Sequence, residues 1–172
     1  VGMALQYQRI NSTANDYILK QISLDTVIRE VIHKYAKIMI RRKIRMHYEK
    51  TEATVISDEK WLSFVLEQLL SNAVKYTPEG EISIEVQEEP QHIWLEIRDT
   101  GIGIRSEDIP RVFEKGYTGF NGHEDKRSTG IGLYLCREVL QKLGHTIQVQ
   151  SEVGEGTTVR AGFSKDAIDF RD

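Results

Sequence analysis

Two glycine pairs flank the middle of the chain. Asp99-Thr100-Gly101-Ile102-Gly103 directly follows a strand-like run, and Gly130-Ile131-Gly132-Leu133 directly precedes a helix-like one. Glycine lets a backbone take positive φ and approach a ligand closely. A helix start offers unpaired N–H groups to an anion. Taken singly, each pair is a tight turn before it is a phosphate cradle. Ser106 stands where a third glycine of G-x-G-x-x-G would fall after Gly101, and Tyr134-Leu135 follow the second pair; a P-loop is absent too. A third feature is a polar stripe, Gln68, Asn72, Lys75 and Tyr76, on an otherwise apolar helix. Val65 and Leu69 flank that stripe and belong in a core. Asn72 and Lys75 therefore need partners that a solvated face would not require, and a phosphate with a metal ion would supply them.

The elements that must position these residues follow from periodicity. Leu24, Val27, Ile28, Val31, Ile32, Tyr35 and Ile38 recur at three and four, with Ser23 as N-cap. The stretch before them, Leu5 to Lys20, reads as a helix end running into a connector. Ile44–Tyr48 alternates like a strand, and Thr54-Val55-Ile56 suits another. Asp58 to Tyr76 predicts the strongest helix, stopped by Thr77-Pro78-Glu79-Gly80. Strands over Glu81–Gln87 and His92–Arg98, a short helix near Ser106 to Phe113, a helix from about Leu133 to Leu143, and a hairpin of Thr146–Ser151 with Thr157–Phe163 complete the order. This is not the regular alternation of a doubly wound parallel sheet. A mixed sheet covered on one face by helices fits better.

Composition narrows the class of protein without naming its chemistry. The 172 residues are 40% hydrophobic and 28% charged, which suits one globular domain and excludes a disordered chain. The longest stretch free of Asp, Glu, Lys and Arg is 9 residues, too short to span a bilayer. The N-terminus lacks the pattern of a secretory signal. A single cysteine fits a reducing compartment, and a net charge of -3 gives no pull toward nucleic acid. The basic run Lys37, Arg41, Arg42, Lys43 and Arg45 reads as a solvated helix end. The expectation is a soluble, intracellular single domain.

Five motifs in order resemble the catalytic and ATP-binding domain of bacterial two-component sensor histidine kinases, within the GHKL superfamily. Gln68-Leu69-Leu70-Ser71-Asn72-Ala73-Val74-Lys75-Tyr76 resembles the N box. Asp99–Gly103 and Ser128–Leu133 resemble the two G boxes. Arg111-Val112-Phe113-Glu114-Lys115-Gly116-Tyr117-Thr118-Gly119 is similar to the F box, and Gly154-Glu155-Gly156-Thr157 to the late Gly-x-Gly-Thr. Each is weak alone; the five in order are specific and cover about Leu24 to Phe163. The run from Lys115 to Gly122 and the helix opening Asp58-Glu59-Lys60-Trp61 look most like the bacitracin-type, antibiotic-peptide-sensing kinases of low-GC Gram-positive bacteria.

The resemblance implies an α+β, two-layer sandwich, the Bergerat ATP-binding fold, with a mobile ATP lid over Gly116 to Arg127. It also implies roles. Asp99 would accept from the adenine amino group, while Gly101 and Gly103 let the backbone pass the base and Thr157 reaches the adenine side. Asn72 would hold Mg²⁺ and Lys75 offset phosphate charge, with Tyr76 completing the nucleotide-facing end of that helix. Gly130, Gly132 and Leu133 would offer N–H groups to the phosphates. Phe113 would pack beside the lid hinge, and Lys126 or Arg127 would reach the γ-phosphate. The implied partners are a histidine-bearing dimerisation domain of the same kinase and a response regulator. No nucleic acid is expected, nor membrane insertion by this stretch. The parent would be a membrane-anchored homodimer with this domain in the cytoplasm.

The sequence departs from the family pattern at two places. Many members carry Asn four residues before Asn72; here Gln68 has the same amide on a longer stem, which puts it in doubt as a direct Mg²⁺ ligand. In the water-activating ATPases of the superfamily that site resembles a Glu general base. Gln68 cannot take a proton, and Glu67 lies about 140° round the helix from Asn72. Efficient ATP hydrolysis is therefore not expected. The second departure is the acceptor. His123-Glu124-Asp125-Lys126-Arg127-Ser128 lacks the Pro of an acceptor segment and lies between the F and second G boxes, so it reads as lid. His33 reads as a helix-surface or core residue, and His47, His92 and His145 as structural. Residues 1–22 are then expected to be the tail of an acceptor hairpin and a linker, 23–165 the catalytic domain and 166–172 a tail. The expected activity is that of a protein-histidine kinase's phosphoryl-donor half. Its alternatives are an anti-sigma-factor-type serine kinase and a nucleotide-binding module without transfer.

Overall fold

A computed structural model describes residues 17–116 and 132–165. Its first element is a strand, β1 (Leu19–Ser23), antiparallel to β3 (Thr54–Asp58). The expected connector is thus a strand from Leu19, because the edge of β3 supplies backbone partners that the local sequence does not reveal. Ser23 ends β1 and also caps α1 (Leu24–Arg41), accepting from the Thr26 N–H at 3.4 Å. The face of α1 bearing Leu24, Val27, Ile28 and Val31 is buried.

Asp58 joins β3 to α2 (Glu59–Lys75). One carboxylate oxygen accepts the Trp61 N–H at 3.0 Å, and the other accepts the Ile18 N–H at 2.8 Å. Nine residues of α2 are buried, so this helix is the centre of the helical layer. At its far end the Arg42 guanidinium donates to the Val74 carbonyl at 2.7 Å, satisfying a helix-terminal acceptor from α1's C-cap. The last helix, α3 (Gly132–Lys142), packs on α2 through Leu135, Cys136, Val139 and Leu140. Cys136 is fully buried, with Sγ 3.9 Å from the Val65 carbonyl oxygen, as expected of a small hydrophobe.

The main sheet has five strands in the order β2 (Ile44–Tyr48), β4 (Gly80–Glu88), β5 (His92–Asp99), β7 (Gly156–Ser164), β6 (Thr146–Glu152). The β2–β4 pair is parallel and the other three are antiparallel. Ile82, Ile84, Ile93, Leu95, Ile97, Val159, Ala161 and Phe163 alternate onto the face beneath the helices and form one core with them. The opposite face carries Trp94, whose ring lies under the Arg160 guanidinium at 4.2 Å. The expected mixed sheet with helices on one face is what forms.

One element is shorter than expected. In place of a helix over 106–113 there is a single 3-10 turn, Ile109–Arg111. Pro110 has no N–H for a helical ladder, and the flanking bonds close three residues apart: Arg111 N–H to the Asp108 carbonyl at 2.9 Å and Val112 N–H to the Ile109 carbonyl at 3.3 Å.

Candidate nucleotide site

Asp99 is the last residue of β5, in register with Thr157 on β7 and Ile82 on β4. Its carboxylate is buried. Oδ1 accepts from the Gly101 N–H at 2.9 Å and from the Thr157 N–H at 3.2 Å. Burial pushes the carboxyl above its usual pKa, a shift held back by the Gly101 and Thr157 donors and by the neighbouring Thr77 side chain. The Thr77 hydroxyl is sealed in beside it without a well-aligned hydrogen bond. A buried carboxylate and a buried hydroxyl with unspent capacity at the end of a strand have the chemistry to accept a ligand N–H.

The loop after Asp99 is pinned on both sides. The Ile102 N–H donates to the Tyr76 carbonyl at 3.1 Å, tying the loop to the end of α2. The Gly154 N–H donates to the Ile102 carbonyl at 3.0 Å and the Ile104 N–H to Ser151 Oγ at 2.7 Å, tying it to the β6–β7 hairpin. At Gly101 a side chain would collide with the Tyr76 carbonyl oxygen and stand 2.8 Å from Thr77 Oγ1. Gly103 has φ +79 and backs onto the Glu152 carbonyl, so this turn admits no other residue without strain.

The polar stripe of α2 ends at this loop. Gln68, Asn72, Lys75 and Tyr76 are each half-buried, and Tyr76 is the helix C-cap. Lys75 Nζ lies 5.2 Å from the centre of the Tyr76 ring. Glu67 is committed elsewhere: it pairs with Lys34 of α1 at 2.6 Å. It therefore faces away from the stripe, as its helical phase requires, and offers no general base there.

The structure thus brings Asp99, Gly101, Gly103 and Thr157 together with Tyr76, and places Gln68 against Gly132, the first residue of α3. Leu133 packs against the main core. Phe113 lies under the Arg137 guanidinium of α3 at 5.2 Å. At Thr157 the backbone N–H meets Asp99, while the hydroxyl sits 2.7 Å from Ser151 Oγ. Lys126, Arg127, Gly130 and the His123 segment fall outside the described residues, as does all but Gly116 of the expected lid. Thr77 and Ser151 are additions that the sequence reading missed. From sequence Thr77 reads only as part of the helix stop, although it directly follows Tyr76. Ser151 carries no local signal, since its role depends on the hairpin folding back beside Ile104.

Comparison with known proteins places the chain in a class. Residues 57–167 match the family of histidine kinase-, DNA gyrase B-, and HSP90-like ATPases. The chain belongs to that family. Among curated proteins it is 36% identical over 165 residues to the sensor histidine kinase YxdK of Bacillus subtilis, covering 92% of this chain and 50% of the relative. It is 37% identical to the sensor protein BceS of the same organism, covering 92% and 48%, and 36% identical to the sensor protein kinase GraS of Staphylococcus aureus, covering 92% and 46%. The chain therefore spans about half the length of the curated relatives it matches. The fold is shared with the Acinetobacter baumannii histidine kinase AdeS, at TM-score 0.78 and 20% identity over 95% of this chain and 75% of that one. It is also shared with full-length ShkA, solved in complex with AMPPNP, at TM-score 0.80 and 20% identity over 93% and 34%. The resemblance carried by the five motifs is borne out. No helix among the described residues is long and apolar enough to cross a membrane.

Proposed function

We propose that the chain is the Mg-ATP-binding catalytic half of a sensor histidine kinase. It positions the γ-phosphate for transfer to a histidine on a dimerisation domain, for relay to a response regulator. The observation that carries this reading is the buried Asp99 carboxylate, held by the Gly101 and Thr157 N–H groups beside the Thr77 hydroxyl at the end of the Asn72 helix. In this reading Asp99 accepts from the adenine amino group. Lys75 supplies positive charge near the phosphates, and the first N–H groups of α3 receive phosphate oxygens.

The donor chemistry fits magnesium. Among the described residues there is no cluster of three His, Cys, Asp or Glu able to cage a metal, while Asn72 offers a hard amide oxygen. Mg²⁺ characteristically takes one or two protein oxygens and completes its shell with water and substrate phosphates. Asn72 would hold it there, and the metal would neutralise charge on the phosphates. The protein's own contribution is positioning and electrostatics, with no general base on α2. That favours a kinase over a hydrolase.

Within this reading, residues 23–165 are the catalytic domain. Residues 1–22 end an acceptor hairpin and linker whose last residues pair with β3, and 166–172 are a tail. The parent is a membrane-anchored homodimer of the antibiotic-peptide-sensing type, supported by the run from Lys115 to Gly122 and by the BceS and GraS relatives. The test is to mix the chain with a separately made acceptor hairpin of such a kinase and γ-labelled ATP. Acid-labile label on the hairpin's histidine is expected. Acid-stable label on a serine would favour an anti-sigma-type serine kinase, and binding of ATP without transfer would mark a nucleotide-binding module.

A further inference from the structure

Three polar residues stand in one row across the sheet. Asp99 on β5 is in register with Thr157 on β7, and Thr157 with Ser151 on β6. Two residues back along the same strands, Ile97, Val159 and Val149 form the neighbouring row and pack into the core. The polar row therefore continues the helix-covered face of the sheet past its last apolar rung. Ser151 Oγ makes three contacts. It accepts the Ile104 N–H at 2.7 Å, donates to the Gly156 carbonyl at 2.9 Å, and lies 2.7 Å from Thr157 Oγ1. A serine hydroxyl has one hydrogen and two lone pairs. With that hydrogen on Gly156, the contact with Thr157 is made by the Thr157 hydrogen. Thr157 Oγ1 then keeps lone pairs but has no hydrogen left to give, while its backbone N–H donates to Asp99 Oδ1 at 3.2 Å. Carboxylate and hydroxyl oxygen thus stand side by side as acceptors.

From this network we propose that Ser151 is a positioning residue for base selection: by holding the Thr157 hydrogen it keeps the Thr157 oxygen an acceptor, so that the site takes a 6-aminopurine and rejects a 6-oxopurine. The proposal rests on the ATP-binding reading above, in which Asp99 meets the adenine amino group, and extends it to a residue that touches no ligand. An exocyclic amino group carries two hydrogens and can serve both acceptors of the row. An exocyclic oxygen facing the same two groups meets lone pairs on each, and a site whose polar groups are left unpaired discriminates strongly. A Thr157 hydroxyl released from Ser151 can turn its hydrogen toward such an oxygen, and the discrimination relaxes. Ser151 also braces the loop after Asp99 through the Ile104 N–H. That brace is indifferent to the base and acts on both kinds of nucleotide alike.

A double-mutant cycle of Ser151→Ala and Thr157→Val tests it, read by calorimetric titration with ATP and with ITP, in which a 6-oxo group replaces the amino group. Ser151→Ala should narrow the ATP-over-ITP preference about tenfold. Ser151→Thr keeps a hydroxyl and should retain the preference. In a Thr157→Val background, Ser151→Ala should leave the ratio within about twofold, because the hydroxyl it controls is gone. A Ser151→Ala loss that is equal for the two nucleotides overturns the proposal and reduces Ser151 to a loop brace. So does a ratio change as large in the Thr157→Val background as in the unaltered chain. Melting curves check that each variant is folded; should Ser151→Ala not fold, Ser151→Cys, whose sulfur is a weak acceptor, takes its place with the same expectations. An unaltered chain that binds ATP and ITP equally overturns the base selection and spares the ATP reading, whereas one that binds neither overturns both.

Discussion

Asp99 shows how much one side chain depends on its surroundings. Burial raises its pKa above the usual 3.8, so the folded protein holds the proton more tightly than the unfolded chain. A raised carboxyl pKa means that ionised Asp99 costs stability at neutral pH and that this cost is relieved as pH falls through the folded value. Nucleotide affinity should run the other way, because the ionised form is the better acceptor for the adenine amino group. ATP affinity measured by calorimetry should fall as pH drops toward the raised pKa. Asp99→Asn should weaken binding by about tenfold or more at neutral pH and abolish that pH dependence. Unchanged affinity in the variant would refute the assignment of Asp99 to adenine. A second residue-scale expectation concerns Gly101. Alanine there would collide with the Tyr76 carbonyl oxygen, so Gly101→Ala should lower the melting temperature and weaken ATP binding together.

At the scale of elements, the most instructive junction is Asp58. It ends β3, caps α2 at the Trp61 N–H, and holds the chain entering β1 through the Ile18 N–H. Sequence alone assigns it to a helix start; the second bond lies 40 residues away along the chain and carries no local mark. Asp58→Ala removes both acceptors from a buried position and should cost about 1–2 kcal/mol in urea unfolding. Asp58→Asn, which keeps one carbonyl oxygen, should cost less. Equal losses in both variants would show that only the charge matters. The same contrast explains β1 and the 3-10 turn. Leu19–Ser23 is a strand because β3 presents an edge to it, and 109–111 is short because Pro110 interrupts the ladder. Elements with strong internal periodicity, α1 and α2 above all, were legible to within a residue or two.

At the scale of the whole molecule, His145 is expected to make stability acid-sensitive. This residue follows α3, is buried against the Phe163 ring with centroids 4.9 Å apart, and has neither ring nitrogen in a well-aligned hydrogen bond. Burial pushes its pKa down from 6.5 to about 4, partly offset by the backbone at Ile56. A depressed histidine pKa means that the unfolded chain takes up the proton first. The stability it contributes is intact above 6.5 and lost progressively as pH falls toward 4. Through this group alone, urea unfolding at pH 5 should show a loss of about 2 kcal/mol relative to pH 7. His145→Leu should flatten that part of the profile; an unaltered slope would place the acid sensitivity elsewhere.

The sequence by itself determined the order of the motifs, the helix faces that form the core, and the glycines that the loop after Asp99 cannot do without. These are local properties, written in spacing and residue type. Only the tertiary structure decided which groups converge. Asp99 receives the Thr157 N–H because β5 and β7 are neighbours in register, and Thr77 is sealed beside it because α2 ends there. Glu67 is drawn to Lys34 by the packing of α1 on α2, and Gln68 reaches Gly132 because α3 crosses α2 at that turn. Such contacts join residues 22 to 64 positions apart, and their geometry exists only once the sheet and helical layer have closed on one another.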